Sequence, residues 1–400
     1  MAVRLRVFTV LGAFLIGAAL VVLAGPVSSE EASVRAERVS FGNERTFAAG
    51  DRPQSVVSSR FDGDRKKDIA TANLGENTVS VLFNQGGGNF ATPGIYKVKV
   101  GKAPLGIVAG DFNGDHKKDL ATANINSDNV SVLINRGDGR FREARNFRVG
   151  NGPVALTAAD LDRDGKDDLA TANSISGKVT VLLNKGGGDF RQAKSYDVGK
   201  YPQGIVSGHF DGNRKPDLAV TGGESDDVSV LINGGKGAFK KATSFRAGNE
   251  PYGITRVDFD RDGDKDLAVA VNSNRSFGNN GVAVLLGNGK GGFGRPTTYT
   301  IEGGLVASGI TKADFNGDGK LDIAAISVNS FEFSIFRGTG KGGLGAAQSF
   351  KLQIGEPTGI VASDFNNDRR PDIGLGKIGP AKSRYSSTPR RADKLQMVSG

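Results

Sequence analysis

One acidic nonapeptide recurs along this chain at a near-constant interval, and that interval limits the fold more than any other feature. Its clearest copy is Asp314-Phe315-Asn316-Gly317-Asp318-Gly319-Lys320-Leu321-Asp322, with oxygen-bearing side chains at positions 1, 3, 5 and 9 and glycine at position 6. The ninth-position aspartates are Asp68, Asp119, Asp168, Asp217, Asp266, Asp322 and Asp372, spaced by 51, 49, 49, 49, 56 and 50 residues. Seven copies of one period predict a stacked array of supersecondary units, each burying its core against its neighbours.

Each copy has the same order. A Gly-x-x-Pro turn (Gly150 to Pro153, Gly199 to Pro202, Gly248 to Pro251) leads into a short apolar strand such as Gly106-Ile107-Val108-Ala109. The acidic loop follows, then a second strand, as in Asp168-Leu169-Ala170-Thr171-Ala172. A polar loop precedes a third strand, and a glycine-rich turn leads to a fourth, which opens at Phe90, Phe141, Phe190, Phe239 or Phe293. The 59 glycines are therefore read as turn residues. Short strands, regular turn signals and no helical periodicity predict an all-β fold. Four antiparallel strands per copy predict a seven-bladed β-propeller. Runs that are apolar on both faces, such as Val132-Leu133-Ile134, suit blades packed between two neighbours.

The last copy supplies Ile360-Val361-Ala362 and Asp372-Ile373-Gly374-Leu375, then loses the pattern. Phe41 to Phe47 matches a fourth strand with no three before it. The N-terminal strand is therefore expected to complete the last blade and close the ring, leaving no free edge. Leu395-Gln396-Met397-Val398 is the candidate third strand; otherwise that blade stays short.

Three regions follow: a leader over 1–29, the repeats over 39–376, and a basic tail over 377–400. The leader has Arg4 and Arg6, then an apolar run from Val7 to Leu23. It reads as a signal peptide cut after Ala24 or Ser29, with an uncleaved N-terminal anchor as the competing reading. A secreted or cell-envelope location is expected. The net charge is +9, of which the leader arginines carry +2 and the tail +5, leaving the repeats near neutral. A nearly neutral body is a poor footprint for nucleic acid. The absence of cysteine excludes disulfides and thiol catalysis.

The recurrent Asp-Phe-Asn-Gly-Asp-Gly-Lys-x-Asp-Ile-Ala block, followed by Val-Ser-Val-Leu and Gly-x-Gly-x-Phe, resembles bacterial FG-GAP/VCBS-type repeats. These are similar to the repeats of the integrin α-chain propeller. The resemblance covers roughly 39–376, and the Phe-Gly pair itself survives at Phe41-Gly42 and Phe293-Gly294. It implies a seven-bladed propeller with calcium in the loops between strands one and two.

Side chains at alternate positions of a tight loop can converge on a hard cation, which takes six to eight oxygens. The third, fifth and sixth copies are complete. They carry Asp160, Asp162, Asp164 and Asp168; Asp258, Asp260, Asp262 and Asp266; and Asp314, Asn316, Asp318 and Asp322. The main-chain carbonyls of Lys166, Asp264 and Lys320 at position 7 are further candidate ligands. Copies two and seven keep Asp111, Asn113, Asp115 and Asp119, and Asp364, Asn366, Asp368 and Asp372, with His116 or Arg369 at position 6. Copies one and four place Arg60 or His209 at position 1 and Arg65 or Arg214 at position 6. There a cationic side chain is expected to replace the metal. Three to five Ca²⁺ sites are expected in all.

No catalytic constellation stands out. Both histidines, His116 and His209, lie inside repeat loops, and the Gly-x-Gly strings recur as hairpin turns. Arg136-Gly137-Asp138 replaces Lys-Gly-Gly of other copies and reads as a turn variant. In an antiparallel blade the two–three loops and the crossings share the face opposite the acidic loops. Copies differ most there, and Arg52, Tyr201, Tyr252, Arg275 and Phe277 are the ligand-face candidates. The leading expectation is a monomeric, non-catalytic binding or adhesion module for a protein or glycan partner. An extracellular propeller enzyme of the polysaccharide lyase or phosphoesterase type is the alternative. A structural envelope module, with the basic tail against an anionic surface, is the third reading.

Overall fold

The computed structural model describes residues 5–10, 18–23, 39–90, 96–272, 280–301, 306–328, 331–353 and 355–378. Arg275, Phe277 and the strand expected over 395–398 lie outside them. The described residues form no helix.

Six four-stranded antiparallel sheets follow one another along the chain. In the third, Pro153–Ala159, Asp168–Asn173, Lys178–Gly186 and Asp189–Asp197 lie side by side in chain order. The second strands have a period of two, and each face packs on a different neighbour. Leu169 joins Ala121, Val132 and Leu156 in the core between sheets two and three. Ala170 and Ala172 join Ile205, Leu218 and Leu231 in the core between sheets three and four. Every residue of Asp168–Asn173 is buried as a result. Each fully buried Leu or Val contributes about 1.5–3 kcal/mol. Buried polar groups of this strand are paired within it and with strand three: Thr171 Oγ1 donates to Asn173 Oδ1 at 3.0 Å, and Asn173 Nδ2 donates to Thr180 Oγ1 at 3.0 Å.

Two sets of latches tie neighbouring sheets at several junctions. On the acidic-loop side, a third-strand asparagine reaches the carbonyl of loop position 2 in the preceding sheet. Asn135 Nδ2 donates to Phe61 O at 2.9 Å, Asn184 to Phe112 at 3.1 Å and Asn233 to Leu161 at 2.8 Å. On the opposite side, Asn77, Asp128 and Asp226 adopt positive φ and accept from the next crossing: Ala103 N at 2.7 Å, Gly152 N at 2.9 Å and Glu250 N at 2.9 Å.

Strands from the first 48 residues and from residues 356–378 meet in one further sheet. Its strands run Glu356–Ser363, Asp372–Ile378, Ala18–Leu23, Arg45–Ala48, Leu5–Val10 and Gly42–Asn43. The slot beside Asp372–Ile378 is therefore filled by the apolar leader segment, where residues 395–398 or a short blade had been expected. A leader and a strand buried on both faces have the same apolar signature, so sequence alone cannot separate them. Lys377 and Glu44 form a buried ion pair within this sheet. The sheet also packs on the first one: Asn84 Nδ2 donates to Phe365 O at 2.7 Å, and Phe365 shares a core with Val56, Ile69 and Leu82. Strand one of each sheet touches strand one of the next, including Glu356–Ser363 against Pro53–Ser59.

Candidate metal centres

The seven acidic loops share one backbone path. Position 4 has positive φ throughout, in Gly63, Gly114, Arg163, Gly212, Arg261, Gly317 and Asn367. Position 6 does so in copies two to seven, from Gly263 at 96° to Arg214 at 60°. His116, Arg214 and Arg369 thus hold a conformation that costs a non-glycine residue about 1–2 kcal/mol. Arg65 in copy one is not among the positive-φ residues.

The ninth-position aspartate has a structural role that its sequence position did not reveal. All seven are fully buried. In copy three, Asp168 Oδ2 accepts from Leu161 N and Oδ1 from Asn184 N, both at 2.8 Å. The same double bond recurs from Asp68, with Phe61 N at 2.7 Å and Asn84 N at 2.9 Å, to Asp322, with Phe315 N and Gly338 N at 2.9 Å. This carboxylate fastens the start of the loop to the end of strand three. Burial pushes these acids up, against the pull of their amide bonds, and neighbouring loop acids add to the rise. Asp68, Asp119 and Asp168 reach about 7, Asp266 and Asp322 about 6, and Asp372 about 8. Burial raises Asp217 in the same direction.

Position 7 makes a further contact. Its lysine side chain turns back onto the position-5 acid: Lys166 Nζ to Asp164 Oδ2 at 2.5 Å, Lys117 to Asp115 at 3.3 Å, Lys320 to Asp318 at 2.9 Å, and Lys66 to Asp64. Burial opposes ionisation of Asp164, but Lys166 and the loop amides outweigh it and hold the pKa below the usual range. The Asp-x-Lys spacing was visible in the sequence.

Carboxylate oxygens converge within 4.8 Å of one another in three groups among the described residues: Asp160, Asp162 and Asp168; Asp258, Asp260 and Asp262; and Asp62, Asp64 and Asp68. Copies three and five are two of the expected complete loops. In copy one, where a cationic side chain was expected in place of the metal, Lys66 pairs with Asp64, while Arg60 is exposed. In copy six Asp314 folds back on its own loop, accepting from Gly317 N at 2.7 Å and Gly319 N at 2.7 Å. Asp111 and Asp364 do likewise, from His116 N at 2.8 Å and Arg369 N at 2.9 Å. Asn113 and Asn366 each accept an amide from the residue two further on, Asp115 and Asp368. A divalent cation fits copy five on its chemistry: Asp258 Oδ1 is buried without a hydrogen-bond partner, beside two more carboxylates. Asp258, Asp260 and Asp262 would hold the ion, and it would supply charge neutralisation. Arg261 of this loop donates to Gly319 O at 2.5 Å, joining loops five and six.

On the opposite face Arg52 and Tyr201 are exposed and Tyr252 is half-buried. Arg52 and Tyr201 adopt positive φ, and Tyr252 O accepts from Thr221 Oγ1 at 2.7 Å.

Four-stranded sheets in series, each carrying an acidic loop between strands one and two, define a propeller-like repeat protein. The FG-GAP-like repeat matches six times, over residues 60–122, 117–171, 160–220, 209–269, 258–325 and 314–375, and the chain belongs to that family. A search of curated proteins gave no match. Among solved structures, an Agrocybe aegerita lectin described as recognising non-reducing terminal N-acetylglucosamine is 20% identical, with TM-score 0.54, covering 87% of this chain and 94% of its own. A Lactobacillus plantarum protein is 14% identical, with TM-score 0.58 and coverage of 84% and 97%. The Pseudomonas aeruginosa periplasmic gluconolactonase is 17% identical, with TM-score 0.55 and coverage of 83% and 96%. That last likeness corrects the expectation of a non-catalytic chain. A named enzyme shares this fold, so a histidine-poor repeat pattern is no ground for excluding catalysis.

Proposed function

We propose that this chain is a secreted or cell-envelope β-propeller of seven blades, closed by its N-terminal strand and stabilised by Ca²⁺ in the acidic loops. It binds a glycan or protein partner on the face opposite those loops. The observation that carries the binding reading is where apolar surface is left uncovered. Among the described residues the exposed large hydrophobic ones are Ile175, Tyr201, Phe331 and Leu321. The first three stand in two–three loops or a crossing, all on that face, and Gln203 Nε2 to Ser174 Oγ at 3.3 Å ties the Ile175 loop to the Tyr201 crossing. Exposed aromatic and aliphatic side chains of this kind anchor partners. The lectin of similar fold makes a glycan the first class to test.

Calcium acts here as a structural ion. Extracellular modules bind it with Kd about 10⁻⁴–10⁻³ M. At about 1 mM Ca²⁺ and a Kd of about 0.1 mM, each site adds about 1.4 kcal/mol. The test of the binding reading is a glycan array, and a pull-down from envelope extracts, with the full chain and with Tyr201→Ala plus Ile175→Ser. The double variant should keep its melting temperature and lose the partner. Undiminished binding by that variant would place the partner elsewhere.

A further inference from the structure

The first strands of neighbouring sheets face one another, and one position of the repeat singles out two of them. Two residues before the acidic loop, five copies carry a small residue: Ser58, Ala109, Ala158, Ser207 or Ala362. Copies five and six carry Arg256 and Lys312 instead. Their strands, Ile254–Val257 and Val306–Ala313, are in contact.

The two cations are packed together rather than splayed into solvent. Lys312 Nζ donates to the main-chain carbonyl of Arg256. Arg256 Nη1 lies 3.5 Å from Ser207 Oγ, whose oxygen lies 3.3 Å from Thr157 Oγ1. The arginine stem runs over Gly208, where an added Cβ would come within 3.1 Å of Arg256 Cδ. Both side chains are half-buried. Among the described residues neither has an ion-pair partner; Asp258, two residues along from Arg256, pairs through Oδ2 with Lys265 at 3.5 Å and leaves Oδ1 unpartnered. Two adjacent, partly desolvated cations without a counter-ion are costly. The fold does not require them, since five copies place Ser or Ala at the same point.

We propose that Arg256 and Lys312, with the Ser207 hydroxyl, form a binding site for a small oxyanion, the carboxylate or phosphate group of a ligand entering between the first strands. A planar guanidinium pairs with two oxygens of such a group, and the lysine adds a second charge. The site lies at the acidic-loop end of these strands, on a different face from the apolar residues above, and does not depend on them.

The repeat itself supplies the test substitutions, Arg256→Ser and Lys312→Ala, because those residues occupy the same place in other copies. Calorimetric titration of the calcium-loaded full chain at low ionic strength would use glucuronate, glucose 6-phosphate and glucose. Saturable binding of at least one acidic sugar, none of glucose, and at least a tenfold loss in each single variant are expected. Preference between the two acidic sugars assigns carboxylate or phosphate. No acidic-sugar binding, equal binding of glucose, or unchanged affinity in the variants overturns the proposal. So does a changed calcium affinity with unchanged anion affinity, which would make the pair a mere balance to loops five and six. Melting curves of each variant separate loss of binding from loss of fold.

Discussion

The side-chain amide of Asn84 donates to the main-chain carbonyl of Phe365 at 2.7 Å, joining residues 281 positions apart. It is the same contact that Asn135 makes to Phe61 at 2.9 Å between two sheets adjacent in the chain. Asn84→Ala would leave the carbonyl of Lys67, 3.0 Å away, without this donor, and Phe365 O would keep only the Gly88 amide at 3.1 Å. Unsatisfied buried acceptors cost about 1–3 kcal/mol. If the sheets close into a ring, Asn84→Ala and Asn135→Ala lower stability by similar amounts in denaturant melts. A neutral Asn84→Ala beside a costly Asn135→Ala contradicts closure.

Positions 3 and 9 of one loop should separate metal binding from backbone fastening. Asp168→Asn replaces one accepting oxygen with an amide NH2 facing an N–H and should cost about 2 kcal/mol even in chelator. Asp162→Asn removes a converging charge. It should be neutral or stabilising in chelator and destabilising in millimolar calcium. Equal costs of both variants in chelator would remove the distinction.

Stability should depend on pH in an unusual direction. Six of the buried ninth-position acids titrate between about 6 and about 8 when folded, above the usual carboxylate value, and Asp217 is raised in the same direction. Between pH 4 and 7 the folded state therefore holds more protons than the unfolded chain. The calcium-free protein should lose stability as pH rises through that range. Calcium requires the ionised form, so its stabilising effect should grow over the same range. Thermal melts at pH 4.5 and 7, with and without chelator, check both signs.

Repeat order, strand pairs and the acidic loops were legible because each is local and occurs many times. What was missed is long-range or chemical. Asp168 reads in the sequence only as a metal ligand; the hydrogen bonds it accepts from Leu161 N and Asn184 N give it a fastening role as well. Lys166 was read only for its carbonyl, although its spacing from Asp164 allowed the ion pair. Arg256 and Lys312 escape a search for motifs and emerge only when the copies are compared position by position. The filling of the last sheet by Ala18–Leu23 could not be read at all, because pairing partners 350 residues apart leave no local pattern.

The leader offers a direct check. Cleavage after Ala24 or Ser29 would remove Ala18–Leu23 from its place beside Asp372–Ile378. Intact mass of the exported protein should begin at residue 25 or 30, and amides 373–378 should then exchange quickly unless another strand fills the slot. A mature chain that retains residues 5–23 contradicts the cleaved-leader reading.

The central claim is that calcium in the acidic loops holds this repeat together. Calorimetric titration of the chelator-treated full chain, paired with melting curves, tests it. Three to five bound ions and a melting temperature many degrees higher in about 1 mM Ca²⁺ are predicted. No heat of binding and identical melts in calcium and EDTA would contradict it.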